Sequence, residues 1–555
     1  MKRFVSILAA LAVVAGGCAN VTSTVPAHPS GFQTGGTLTV GVVGDMTYAD
    51  PALVSDTSSR YVASQVVEGL VGLEPGTNSV VVPVLAAALP TVSADGLTYT
   101  FKLRSGIKFQ DGTTLDADAV KFNYDRWNSF PSKSDLQKAA SAFRAVFGGF
   151  GEGGNLASVA APDAQTVVIT LRQPQSDFLI TQANVAFGIQ SPTAIQAQDG
   201  SNPSLAKNTY AQGQGGKGKT MVGTGPFEFD QWVAGDHVTL VKNPSYWDTA
   251  AEPYLDGIVF EPFDDAVAAG NALQSGAVDM VNVVDPVTLA SIRGSSNVTV
   301  LDRGYSCNST ELDINEGDTI NGHVNPLSDT NARMAIASAV NKQSYVSTFY
   351  SGAAIVADGW APEGALYYKS EYLPGLDVNR AKNDMAAAGL SGKVSVELWY
   401  PTVAASFIDY KAFATAIAAD LGTAGFTVSV KTEAPADYAA DEAAGNLQIW
   451  LSSRDCAWDS VGYFLSPFQY VANAPPTSFD YTNDTLNATM AQATAATAQA
   501  NVEAAWNQSQ DLVAADMPTV PLLNAKLPAA ARSYVRGVVA SGNMVEILNT
   551  VWLAK

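Results

Sequence analysis

The chain has 555 residues, with 31 basic against 52 acidic side chains and a net charge of −21. So acidic a chain repels phosphate backbones and anionic headgroups, which argues against nucleic acid as a partner and against charge-driven binding to a membrane surface. Hydrophobic residues at 47% and charged residues at 15% exclude a disordered composition, and the length exceeds what one core can organise.

Taken in chain order, the first signal is at the start. Lys2 and Arg3 precede an uncharged apolar run over 4–14, and Ala15-Gly16-Gly17-Cys18 follows. This pattern predicts a secretory signal over 1–17, too short for a transmembrane helix. The cysteine at the cut site predicts a bacterial lipoprotein, lipidated on Cys18, although Ala15 stands where leucine is usual. Residues 18–35 lack periodicity and read as a flexible tether. No later stretch is apolar for 18 residues.

Residues 36–41 and 97–103 alternate apolar and polar side chains, as strands do. Residues 59–71 show helical spacing, and Asp116 is placed to cap a helix containing Val120, Phe122 and Trp127. A strand over 166–171 follows, and 199–219 reads as a polar surface loop. Residues 227–232 and 237–241 form a hairpin pattern. Helices are predicted over 264–273, 335–349, 379–388 and 412–421, with an Ala-rich helical stretch over 484–514. Strands are predicted over 278–284, 394–398, 427–430 and 447–451. This mixture without a short repeat predicts an α/β protein of more than one lobe.

Several ordered motifs point further. Asp50-Pro51-Ala52 precedes Val67-Glu-Gly-Leu-Val71. The run Asp95-Gly-Leu-Thr-Tyr-Thr-Phe-Lys-Leu-Arg-Ser-Gly-Ile-Lys-Phe-Gln-Asp-Gly112 precedes Gly223-Thr-Gly-Pro-Phe227 and Asn243-Pro-Ser-Tyr-Trp247. Then come Pro253-Tyr-Leu-Asp-Gly-Ile258, Ser275-Gly-Ala-Val-Asp279, Arg333-Met-Ala-Ile-Ala337 and Asp516-Met-Pro-Thr-Val-Pro-Leu522. From about 36 to about 525 the chain resembles the family 5 extracellular solute-binding proteins, which include oligopeptide-, dipeptide- and nickel-binding proteins of ABC importers. Two departures are Asn341, where the family usually has aspartate, and a longer Gly-rich segment over 131–162.

The resemblance implies a two-lobe clamshell of the class II periplasmic-binding type that encloses its ligand by hinge closure. Lobe I would span 36–303, with an extra subdomain over about 76–222. Lobe II would span 304–520, and 521–555 would return to lobe I. It also implies a disulfide between Cys307 and Cys456, holding the loop that lines the cleft. In the chain-entropy model such a bridge contributes up to roughly 5 kcal/mol. In peptide-binding relatives an aspartate just after that cysteine pairs with the peptide ammonium. Asp459 is the match with a one-residue insertion, and Asp455 is the alternative. A carboxylate in a closed cleft needs a cation to offset its desolvation. Helix capping near Ser460 is the competing role for Asp459.

Trp458 and Tyr463 flank that carboxylate and would wall a side-chain pocket, with core packing as the rival reading. Trp360 and Tyr48 would reach the cleft from lobe II and lobe I. Arg454 would meet a ligand carboxylate, or lie at the surface. No catalytic group is predicted. The three histidines, His28, His237 and His323, form no zinc pair, and no phosphate-cradling loop or nucleophile elbow occurs. The reading is therefore a monomeric extracytoplasmic receptor, held to the membrane by its lipid alone. It needs no cofactor or metal, and it delivers peptides to the permease of an ABC importer. A receptor for a sugar or metal chelate, and an envelope lipoprotein without transport function, are the alternatives.

Overall fold

A computed structural model describes residues 32–304, 308–370, 373–402, 409–455, 458–469 and 478–554. The signal segment, Cys18, Cys307 and Cys456 lie outside the described residues.

Two large mixed sheets organise the chain. The first has seven strands in the order Val298–Leu301, Ala529–Arg532, Met280–Val281, Thr37–Val43, Gly257–Phe263, His237–Lys242 and Phe227–Val233. Its centre is parallel, with Thr37–Val43 beside both Gly257–Phe263 and Met280–Val281. The central strand alternates apolar residues on a buried face, with Leu38, Val40 and Val42 all inside. The expected hairpin forms, pairing Phe227–Val233 with His237–Lys242.

The second sheet has six strands in the order Ala354–Val356, Thr519–Ala525, Asn308–Ile314, Ile449–Asp455, Val394–Pro401 and Phe426–Glu433. The last three run parallel, so their C-terminal ends share one edge of the lobe. A smaller four-stranded antiparallel sheet, built from Thr91–Val92, Thr98–Lys102, Thr166–Leu171 and Leu156–Asp163, carries its own core around Phe101, Trp127, Phe147 and Phe187.

The chain leaves the first sheet after Leu301 and enters the second at Asn308; it returns between Ala525 and Ala529. The two crossings lie side by side. Arg303 Nε donates to the Leu527 carbonyl at 2.8 Å, and Lys526 Nζ donates to the Gly304 carbonyl at 2.9 Å.

Local signals explain the helix starts. Asp56 caps Thr57–Val66, Asp116 caps Ala117–Asn128, and Asp265 caps Ala266–Ser275. Each side-chain oxygen satisfies an otherwise unbonded N–H of the first turn, contributing about 1 kcal/mol. Gly276, at φ 83°, ends the third in a left-handed conformation that a side chain would disfavour. Two expected helices are each broken in two. Residues 335–349 fall into Thr330–Ala339 and Lys342–Phe349, because Val340 is extended and Asn341 caps the second helix by accepting from the Ser344 N–H. Asparagine thus fills a capping position that aspartate can also fill. The Ala-rich stretch divides into Asp484–Ala495 and Gln499–Asp516, with extended backbone at Ala496 and Ala498 between them.

Candidate functional site

The strand Ile449–Asp455 sits at the middle of the second sheet, paired from Ile449 opposite Ile314 to Asp455 opposite Asn308. Shortly beyond it, Trp458, Asp459 and Ser460 form a short loop before the helix Val461–Leu465. Ser460, not Asp459, caps that helix, its Oγ accepting from the Tyr463 N–H at 3.3 Å. The loop is pinned from below. Leu366 N donates to the Asp459 carbonyl at 2.8 Å, and Val461 N to the Leu366 carbonyl at 3.0 Å. It is also pinned from the smaller subdomain. Asp177 Oδ2 accepts from Trp458 Nε1 and from Ser460 Oγ, both at 3.0 Å. The backbone of Asp459 is thus tied on one side and its neighbours on the other.

Asp459 lines a cavity of about 310 Å³. Its walls come from residues 67–78, 180–188 and 539–549, with Tyr246, Trp458 and Asp459 closing it. Asp459 is only 2% exposed, and among the described residues neither carboxylate oxygen accepts a hydrogen bond of normal geometry. Burial pushes its carboxyl up to about 8, against the opposing influence of the nearby Asn78 amide. A second carboxylate in the wall, Glu68, is handled differently. It accepts from Thr224 Oγ1 at 2.7 Å, Tyr246 OH at 2.8 Å and Trp247 Nε1 at 2.7 Å. Burial raises its pKa while these three donors oppose the rise. Burial and the adjacent Glu68 likewise hold the Tyr246 phenol protonated. Of the two buried carboxylates in the wall, Glu68 is already satisfied and, among the described residues, Asp459 is not.

The model for bacterial extracellular solute-binding proteins, family 5 middle, matches residues 80–476. The chain belongs to this family. It is a solute-binding protein and not an enzyme. The glutathione-binding protein GsiB of Escherichia coli K12 is 28% identical over 518 residues, covering 90% of this chain and 91% of that protein. GsiB of Shigella flexneri is similar to the same extent. Among solved structures, the Helicobacter pylori periplasmic binding protein DppA, in complex with peptide STSA, superposes with a TM-score of 0.74 at 23% identity. It covers 94% of this chain and 99% of its own. The Escherichia coli murein tripeptide binding protein MppA gives 0.69 at 18% identity, covering 94% and 99%. These likenesses show the two-lobe periplasmic-binding fold. Among the described residues no helix is long and apolar enough to cross a membrane.

Of the side chains singled out in the sequence of this solute-binding protein, Asp459 and Trp458 line the cavity. Tyr463 stands behind Trp458, edge-on with ring centroids 5.1 Å apart, and packs against the large core that includes the second sheet instead of lining the cavity. Trp360 does not reach the cavity. It is 3% exposed within the large core that includes the second sheet, where its ring contributes as buried surface. Tyr48 is half-buried against the subdomain core, also outside the cavity wall.

Arg454 is neither a surface residue nor placed for a ligand carboxylate in this cavity. Its Nε donates to Glu311 at 2.9 Å and its terminal nitrogen to Asp313 at 3.0 and 3.1 Å. Burial opposes its charge, but Asp313 and Glu311 beside it raise its pKa overall. Asp455 ends its strand opposite Asn308, and its side chain lies outside what is described.

Sequence reasoning missed Glu68, Tyr246 and Asn78 as parts of the wall. A signal for the first two was present. Glu68 lies in one family motif and Tyr246 and Trp247 lie in another, and these motifs meet through the Glu68 carboxylate.

Proposed function

We propose that this family 5 protein captures short peptides, pairs their free α-ammonium with Asp459, and hands them to an ABC import permease by opening and closing about the crossings at 302–304 and 526–528. The carrying observation is the Asp459 carboxylate, buried in the cavity wall without a hydrogen-bond donor of normal geometry among the described residues. A buried carboxylate left this way is costly, and a ligand cation removes the cost. Trp458 supplies an apolar wall beside it. The cavity volume lies near the lower end of the range for small-molecule sites, about 300–1,000 Å³, which favours a ligand of few residues. Relatives named for glutathione and a murein tripeptide, and one in complex with the peptide STSA, are consistent with that size class.

The working division is lobe I over 36–303, with its subdomain over about 76–222, lobe II over 304–520, and the return over 521–555. The strand Thr519–Ala525 still pairs within the second sheet, which favours moving that last boundary to about 525. Lipidation of Cys18 and a Cys307–Cys456 disulfide complete the proposal. The ladder that ends at Asn308 opposite Asp455 leaves off at the chain neighbours of both cysteines. Non-reducing peptide mapping tests the bridge: a linked peptide containing both cysteines is expected, and two free thiols refute it.

The deciding experiment for the ligand is native mass spectrometry of the gently purified protein. A set of bound di- to oligopeptides that disappears in Asp459→Asn supports the proposal. A sugar, a metal chelate or an empty cavity overturns the peptide reading.

A further inference from the structure

A second cavity, of about 660 Å³, opens in lobe II and shares no lining residue with the first. It lies where the parallel strands Val394–Pro401 and Ile449–Asp455 end, bounded by the helices Tyr410–Ala424 and Pro435–Ala443. Crevices at the carboxyl ends of parallel strands are the usual ligand positions of open α/β sheets. Four aromatic side chains line it: Tyr410, Tyr438, Trp450 and Phe479.

Its charges are unequal. Glu442 lines the cavity directly. Arg454 also lines it, but its guanidinium is already bound to two carboxylates, Glu311 and Asp313. Three carboxylates thus stand against one cation. Glu442 is raised by burial and by Asp313, with Arg454 and the approaching indole of Trp450 opposing. That indole belongs to a side chain 1% exposed, and its N–H completes no hydrogen bond of normal geometry among the described residues. Tyr438 is fixed in the wall by donating to the Leu451 carbonyl at 2.9 Å.

An anionic ligand would meet Glu442 with no free cation among the described lining residues to offset it. A neutral apolar ligand would leave Glu442 desolvated. An organic cation satisfies both features, meeting the carboxylate with its charge and the aromatic faces with its alkyl stem. We infer that this cavity is a cation-selective site, taking an ammonium or guanidinium group against Glu442 between Tyr410, Tyr438, Trp450 and Phe479. The cation can be a basic side chain of a captured peptide, in which case the site rests on the peptide reading above, or a free small amine.

Isothermal titration calorimetry with the full mature protein separates these sources. Alanine tripeptides carrying lysine at each position in turn are compared with their norleucine counterparts, and agmatine is titrated alone. At one position lysine is expected to bind about tenfold tighter than norleucine, and Glu442→Gln to reduce that ratio below about twofold. Tyr410→Leu, which leaves the carboxylate in place, is expected to reduce it about threefold. If no tripeptide binds but agmatine does, and Glu442→Gln abolishes it, the cation site stands and the peptide reading falls. Equal affinity for lysine and norleucine at every position without agmatine binding overturns the inference. So does a preference, or agmatine binding, that Glu442→Gln leaves intact.

Discussion

Glu546 and Asp459 are both buried carboxylates beside the same cavity, and they are managed in opposite ways. Glu546 is 0% exposed and lies between the wall residues Val545 and Ile547; its Oε1 is paired with Arg303 at 2.5 Å. Arg303 in turn bonds the carbonyls of Leu527, Ser541 and Asn282, so it ties one crossing segment to the other and to the cavity wall. Asp459, almost as deeply buried, has no ion pair among the described residues. The first arrangement holds its carboxylate against a fixed cation of the same chain. The second leaves a charge to be completed by something that comes and goes. A buried ion pair is weak evidence for net stability, but breaking one is expensive, and that asymmetry lets the two carboxylates be told apart by mutation.

The largest effect belongs to Arg303. Arg303→Met strands the Glu546 charge and frees three carbonyls at the crossing. It is expected to lower stability by about 3–5 kcal/mol in chemical denaturation. A loss below about 1 kcal/mol would mean that the pair is not the fixed element argued here.

Asp459→Asn is expected to act in the other direction on the ligand-free protein. Removing an uncompensated buried charge raises stability above pH 8 by on the order of 1–3 kcal/mol, while peptide affinity falls at least about thirtyfold. A variant both weaker in binding and less stable would put Asp459 among the structural carboxylates with Glu546.

The pH dependence sharpens the contrast. In the folded protein, burial raises the Asp459 pKa from the ordinary carboxyl value of about 3.8 to about 8. Between these values the folded state holds a proton that the unfolded state has lost. The associated stability is therefore fully present below about pH 3.8 and is lost as the pH rises through about 8. Denaturation midpoints across this window are expected to fall less steeply in Asp459→Asn than in the parent. Pairing with an ammonium requires the ionised form. Peptide binding at pH 7 should thus release close to one proton, read as a dependence of calorimetric enthalpy on buffer ionisation. No proton release would mean that the bound carboxyl stays protonated.

Much of this was legible in the sequence because it is local. Capping at Asp116 and the 227–242 hairpin follow from a few neighbouring residues. Asp459 could be found because the family motifs align the loop that holds it. What was not legible depends on contacts across the fold. Tyr246 reaches Glu68 across 178 positions, and Arg454 finds Glu311 across 143, so neither partner is visible from its own surroundings. Trp360 misled for a related reason. A tryptophan in a Gly- and Pro-flanked turn looks exposed until the core that covers it is known. The helix break at Val340 was missed because helical periodicity continues on both sides of it.

The smallest expected effect tests whether Asp459 is aimed or merely located. Asp177 touches Trp458 and Ser460 but not Asp459, and it approaches from the subdomain, not from lobe II. Asp177→Ala removes two hydrogen bonds to a charged acceptor and leaves the Leu366 backbone bonds to the loop intact. If the subdomain fixes the direction of the Asp459 side chain, peptide affinity should fall about three- to tenfold, with stability changed by no more than about 1–2 kcal/mol. The proton release at pH 7 should persist, because the same carboxyl still ionises on binding. If affinity is unchanged, the backbone bonds to Leu366 suffice to aim the carboxylate. If affinity and proton release vanish together, the subdomain contact does more than orient the loop, and closure of the subdomain onto lobe II becomes part of the binding step itself.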